Sequence, residues 1–168
     1  AFGAMMSALK SRGLDQAIVD AYNRGEARIL GICLGFQLLG RTSKEHGLNN
    51  GIGLLPFSVN RIQNYGSPAL KIPHVGFNTV TFSDNQSLFC GLSPQADFYF
   101  THSYWVDHNN AHGFDRVGTC LYGKQFLAAF QVGNLCGVQF HPEKSQSNGL
   151  RLLKNFIKAS VIKQLNLL

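Results

Sequence analysis

Two short stretches carry side chains able to do covalent chemistry together. Residues 28–41 read RILGICLGFQLLGR, with Cys33 set between Gly31 and Gly35, and residues 137–144 read GVQFHPEK, with His141 and Glu143 on either side of Pro142. A thiol becomes a nucleophile when a base removes its proton, and the base works best when a third group holds its ring. The first stretch runs from a short apolar strand through a sharp bend into an amphipathic helix, the pattern of a nucleophile elbow with sulfur in place of oxygen. Gly31 and Gly35 suit a bend that leaves no room for a Cβ, and a helix N-terminus beyond Cys33 would favour thiolate over thiol. In the second stretch a strand ends at Phe140. Pro142 biases His141 to an extended conformation, in which His141 and Glu143 project to the same side. The carboxylate can then hold one imidazole nitrogen and leave the other for the thiol.

The same residues admit plainer readings. Cys33 alone fits a buried core cysteine, and His141 alone fits a hydrogen-bonded histidine at a strand end. Cys33, His102, His141 and Glu143 are metal-ligand types, but no H-x-x-x-H or paired-cysteine spacing accompanies them, so neither a metal nor another cofactor is expected. His46, His108 and His112 fall in polar loops and read as solvated.

The elements that must position these groups follow from periodicity. Met5, Met6 and Leu9 mark a first helix ended near Gly13. Asp15 caps a second, with Ile18, Val19 and Tyr22 on its apolar face and Gly25 beyond its end. A strand over 28–32, the elbow and a helix with Phe36, Leu38 and Leu39 come next, followed by a loop through 44–53. Short strand patterns then recur at 57–62, 76–82, 97–101, 117–122, 126–132 and 135–140, separated by turns at 65–68, 123–124 and 133–134. A last helix, capped at Ser147 or Asn148, carries Leu150, Leu153, Phe156 and Ile157 opposite Arg151, Lys154 and Lys158. This order predicts an α/β three-layer sandwich with a mixed, mainly parallel central sheet, in one domain over 1–168. Only two helices precede the elbow strand, so the sequence reads as N-terminally incomplete, without the strand–helix–strand unit that would flank that strand.

Composition narrows the function. The chain has 168 residues, 45% hydrophobic and 14% charged, and a formal net charge of +6. That suits a folded soluble domain rather than a disordered one. The basic residues are scattered, without the clustered stripe and interleaved aromatics of a nucleic-acid surface. They fit an acidic partner or phosphorylated small molecules better. Four cysteines without C-x-x-C spacing point to free thiols in a reducing compartment. No apolar run reaches membrane-spanning length and no signal peptide is visible, so a cytoplasmic protein is expected.

GICLGFQLLG and GVQFHPEKS together resemble the class I, triad-type glutamine amidotransferases. IPHVGFN (72–78), FYFTHSY (98–104) and HPEKSQSNGLRLLKNF (141–156) are similar to the glutaminase-subunit branch associated with imidazole glycerol phosphate synthase, and the resemblance spans nearly the whole chain. It implies an enzyme that hydrolyses L-glutamine to glutamate and ammonia through Cys33, His141 and Glu143. It implies substrate contacts from Leu34, whose amide would be an oxyanion donor, Gly35, Gln37 and Glu45, whose carboxylate would hold the substrate ammonium. The backbone of His102, Ser103 and Tyr104 would meet the α-carboxylate. It further implies a heterodimer with a (β/α)₈-barrel cyclase subunit in histidine biosynthesis, which receives the ammonia. Pro73, His74, Phe77, Tyr99 and Lys144 would lie toward that interface.

Two departures accompany the match. Phe77 stands where the family usually carries tryptophan, which leaves room for a glutaminase subunit that serves a surface-polysaccharide sugar amidotransferase. The family's glycine-rich loop, a second source of oxyanion contacts, precedes the position of Ala1. That keeps a non-catalytic partner subunit among the readings, beside a stand-alone γ-glutamyl hydrolase.

Overall fold

The chain opens with two helices, α1 (Phe2–Ser11) and α2 (Leu14–Arg24), joined through Gly13 at φ 66°. Gly25, also at φ 66°, ends α2 in the left-handed conformation that glycine adopts without a Cβ penalty. Gly13 rather than Asp15 occupies the cap of α2; Asp15 sits in the first turn. The structure is a computed structural model and describes residues 1–25, 27–64 and 69–165, the side chains of 161–165 excepted. The turn expected at 65–68 lies outside the described residues.

Next come β1 (Ile29–Ile32), α3 (Leu34–Leu38), β2 (Thr42–Ser43), β3 (Asn49–Asn50), β4 (Ser58–Arg61) and β5 (His74–Phe82). They are followed by β6 (Gln95–His102), β7 (Tyr104–Trp105), β8 (Arg116–Tyr122), β9 (Lys124–Val132), β10 (Leu135–Val138) and α4 (Gln146–Leu165). The main sheet has the order β1-β10-β9-β8-β5-β6, and a small sheet runs β3-β2-β4-β7.

The fold is α/β with a mixed central sheet, as expected, but the balance of directions differs from the expectation. Of the main sheet's pairings only β1–β10 is parallel, while β10–β9, β9–β8, β8–β5 and β5–β6 are antiparallel. The cause is local. Gly123 (φ 69°) and Gly133 (φ 53°) make tight reversals between β8, β9 and β10, and a tight reversal forces neighbours antiparallel.

Two apolar clusters cover the two faces of this sheet. On one, Leu152 and Phe156 of α4 pack with Phe98, Phe100, Phe126 and Phe140. On the other, Phe2 and Met6 of α1 and Phe36 of α3 pack with Phe57, Leu127, Phe130 and Leu135. Each buried aromatic contributes about 1.5–3 kcal/mol, so both faces of β9 and β10 are anchored where the second chemical stretch begins.

Candidate active site

The elbow forms where β1 meets α3. Cys33 sits at the bend with φ 48° and ψ −103°, a conformation that costs a non-glycine residue about 1–3 kcal/mol. Its amide donates to the Val138 carbonyl at 2.8 Å, continuing the β1–β10 pairing by one residue. A Cβ on Gly31 would come within 2.7 Å of the Phe36 nitrogen, so only glycine fits there. Gly35 differs from expectation: a Cβ there meets nothing within 4 Å, and its position borders an apolar pocket of ≈ 290 Å³ beside Met5, Leu9 and Ile52.

The helix after the bend has five residues, too few for the dipole expected to favour thiolate. Burial instead pushes the Cys33 thiol above its ordinary value. The Leu34 amide pulls it back down, the Glu143 charge raises it and the Gln139 side chain lowers it. The resting sulfur is a thiol, and it needs a base.

His141 follows β10 at φ −99° and ψ 97°, the extended state that Pro142 imposes. Its Nδ1 lies 2.6 Å from Glu143 Oε1. The 3₁₀ turn of Pro142–Lys144 is clamped from both sides: the His141 amide donates to the Tyr99 carbonyl at 2.8 Å, and the Ser145 hydroxyl donates to the His141 carbonyl at 2.6 Å. Beside the Leu34 amide, the Cys33 sulfur accepts from Gln139 Nε2 at 3.7 Å and faces the Thr101 carbonyl at 4.0 Å.

A cleft of ≈ 600 Å³ opens over Cys33. It brings together Leu34, Gln37, Glu45, His102, Ser103 and Tyr104 from the expected substrate set, and adds Pro73 from the expected interface set. Glu45 is held ready. Burial raises the Glu45 pKa, while the Phe2 amide, which donates to Oε2 at 2.6 Å, and nearby His46 lower it. The Gln37 amide group is turned inward, donating to the Tyr104 carbonyl (2.9 Å) and to Gln139 Oε1 (3.0 Å).

His102 and His74 form a buried pair. His102 Nδ1 faces the Tyr104 carbonyl at 2.9 Å, and its Nε2 meets His74 Nδ1 at 3.0 Å. Because a carbonyl only accepts, His102 carries its proton on Nδ1 and His74 donates to His102. Burial lowers both rings, to about 4 for His74 and about 3 for His102, where the facing His74 and His141 add to the effect. His74 therefore departs from the expected surface position: it is 3% exposed, stacked on Tyr122 and Phe100. Phe77, Tyr99 and Lys144 do form one patch, with Phe77 50% exposed, its ring 5.6 Å from Tyr99, and the Lys144 ammonium 5.7 Å above Tyr99.

His46, Arg61 and Thr101 also line the cleft, and Gln139 lies behind it, none of them expected from sequence. Arg61 of β4 reaches the cleft because its strand pairs with β7, bringing Arg61 opposite Tyr104. Gln139, fully buried, lies behind Cys33. Neither has a local sequence signal, since both placements come from strand pairing. Among the described residues no group of three or more His, Cys, Asp or Glu is arranged to hold a metal ion, and no helix is long and apolar enough to cross a membrane.

The family model of class-I glutamine amidotransferases matches residues 10–159. Imidazole glycerol phosphate synthase subunit HisH 1 of Parasynechococcus marenigrum (strain WH8102) is 43% identical over 159 residues, covering 95% of this chain and 75% of the relative. Subunit HisH of Moorella thermoacetica is 46% identical over 157 residues, covering 93% of this chain and 71% of the relative. In fold, the chain is similar to a solved glutamine amidotransferase (TM-score 0.65, 16% identity, 91% of this chain and 71% of that one). It is also similar to a glutamine amidotransferase from Thermotoga maritima (TM-score 0.57, 24% identity, 92% and 55%). With a family match over most of its length and relatives of this similarity, the chain belongs to the class-I glutamine amidotransferase family.

Proposed function

We propose that this chain is a glutaminase subunit that hydrolyses L-glutamine and delivers ammonia to a cyclase partner, with Cys33 as nucleophile, His141 as general base and acid, and Glu143 as the group that orients His141. The observation that carries this reading is the strained Cys33 at the floor of a cleft, one strand away from a His141–Glu143 pair held at 2.6 Å.

The chemistry runs in two halves. His141 takes the thiol proton as sulfur adds to the glutamine carboxamide carbon, and the oxygen becomes an oxyanion facing the Leu34 amide. The intermediate collapses with cleavage of C–N; the nitrogen takes the proton from His141 and leaves as ammonia, and a γ-glutamyl thioester remains on Cys33. Water then attacks as His141 takes its proton, C–S breaks, and glutamate and the thiol form as sulfur recovers a proton. The thiol–imidazole contact tightens in the glutamine complex. The carbonyl oxygen of Gln37 is its one group left for substrate, and Glu45 supplies the negative charge for an ammonium.

The relatives' names as subunits of imidazole glycerol phosphate synthase support a synthase partner, for which the family resemblance implies a barrel-type cyclase of histidine biosynthesis. The Phe77–Tyr99–Lys144 patch is our candidate for its docking surface, and the fit is to an acidic contact over Lys144. Phe77 in place of tryptophan favours one second reading, a sugar amidotransferase partner. Ammonia release by the chain mixed with each partner decides between them: stimulation by the cyclase alone supports the first and rejects the second. Cys33→Ala tests the enzyme itself, since unchanged ammonia release would refute it.

A further inference from the structure

A buried chain of amides runs from the Tyr104 carbonyl to the nucleophile. The carbonyl can only accept, so Gln37 must turn its NH₂ toward it, at 2.9 Å. The second hydrogen of that NH₂ goes to Gln139 Oε1 at 3.0 Å. The oxygen of Gln139 is thereby committed, and its own NH₂ faces Cys33 Sγ at 3.7 Å. Amide orientation is ordinarily ambiguous, because oxygen and nitrogen look alike. Here a backbone carbonyl settles it. Turning Gln139 over would set two NH₂ groups against each other and place an oxygen against the sulfur.

Gln139 itself cannot move away. It has no exposed surface, and its backbone amide donates to the Ala128 carbonyl at 2.8 Å. We infer that Gln139 is the fixed hydrogen-bond donor to the Cys33 sulfur in its thiolate form, and that Gln37 is the positioning residue that sets its polarity. The inference rests on the reading of Cys33 as nucleophile and gives that reading a second donor. The Leu34 amide, which also bears on the sulfur, is needed by the oxyanion once glutamine is attacked. Gln139 stays with the sulfur throughout, stabilising it both before attack and as the leaving group of the thioester. Because Gln139 is buried away from water, such a bond is stronger than its solvated equivalent.

The test is the pH dependence of iodoacetamide alkylation of the full chain, read peptide by peptide by mass spectrometry, with exposed Cys90 as internal reference. In Gln139→Leu the Cys33 midpoint rises by about one pH unit, a tenfold loss of thiolate below it. In Gln139→Met, close to Gln in length and a second route should Leu not fold, it rises as well, because no donor remains. Gln37→Met moves it in the same direction, and the Cys90 profile stays put in every variant. An unmoved Cys33 midpoint in folded Gln139→Met overturns the assignment, whatever happens to melting temperature. Alkylation does not require turnover, so the two failures separate. A shifted midpoint with an active Cys33→Ala would sink the glutaminase reading and leave the Gln139 assignment standing.

Discussion

The His141 amide donates to the Tyr99 carbonyl at 2.8 Å, so the proposed base and the aromatic centre of the exposed patch are joined through backbone. Tyr99 is also tied to the turn through its own amide, which donates to the Ser145 hydroxyl at 2.9 Å. A partner docked on Tyr99 or Lys144, as proposed, would act on the segment that carries His141 and Glu143. The Ser145 hydroxyl, buried and bonded to both strands of this link, is its fastener.

Ser145→Ala should loosen that link. It strands the Tyr99 amide and removes one of two donors to the His141 carbonyl, which keeps the Lys144 amide at 3.1 Å, at a cost of about 1–3 kcal/mol. We expect a lower urea midpoint and a fall in kcat for ammonia release larger than any rise in KM. Urea titration beside steady-state kinetics reads both, and an unchanged kcat would show that the turn does not depend on Ser145.

Cys33→Gly and Cys33→Ala should differ in stability though both lose activity. Glycine occupies φ 48° freely whereas alanine retains the strain, so Cys33→Gly should melt higher than Cys33→Ala, by about 1 kcal/mol of stability. Equal melting temperatures would mean that the elbow is unstrained.

The two glycines around Cys33 should respond oppositely to alanine. Gly31→Ala drives a Cβ against Phe36 and Gly35 backbone and should cost more than 2 kcal/mol or prevent folding, a cost on the order of other overpacked sites. Gly35→Ala meets open space and should fold normally, with a thermal melt close to that of the parent chain. Similar melts for both would contradict the close approach of strand and helix.

These contrasts mark where the sequence was informative. The bend at Cys33 was legible because the hydrophobic period changes there and glycines bracket it, and the His141–Glu143 pair was legible because Pro142 fixes the chain between them. The mainly antiparallel direction of the sheet differs from the expectation, although the reversals at Gly123 and Gly133 are local signals for antiparallel neighbours. His74 is set among surface-type residues on β5, where alternation alone does not reveal that Tyr122 and Phe100 close over it. Gln139 and Arg61 gain their places from pairings between strands far apart in sequence, which a linear pattern does not encode. The expected thiolate preference failed for a simpler reason: α3 is short, and burial outweighs it.

Acid should destabilise the fold through the buried histidine pair. Unfolded, each ring titrates near 6.5; folded, they titrate near 4 and 3, so the unfolded chain takes up protons that the folded chain refuses. The stability is fully present above pH 6.5 and is lost as pH falls through about 4 and then 3. His74→Leu should lower the melting temperature at pH 7.5, because His102 Nε2 loses its donor, yet flatten the decline between about pH 6.5 and 4.5. A decline as steep as that of the parent chain would place the acid sensitivity elsewhere.

The most direct test of the central claim is a search for the covalent intermediate. The chain, with the proposed cyclase partner, is given glutamine, quenched in acid during turnover and digested, and the Cys33 peptide is weighed in the parent and in His141→Asn. The account predicts a γ-glutamyl group on Cys33, sensitive to hydroxylamine and absent from Cys90. Steady ammonia release with no glutamyl adduct on Cys33 in either protein, even when quenched within one turnover, would contradict it.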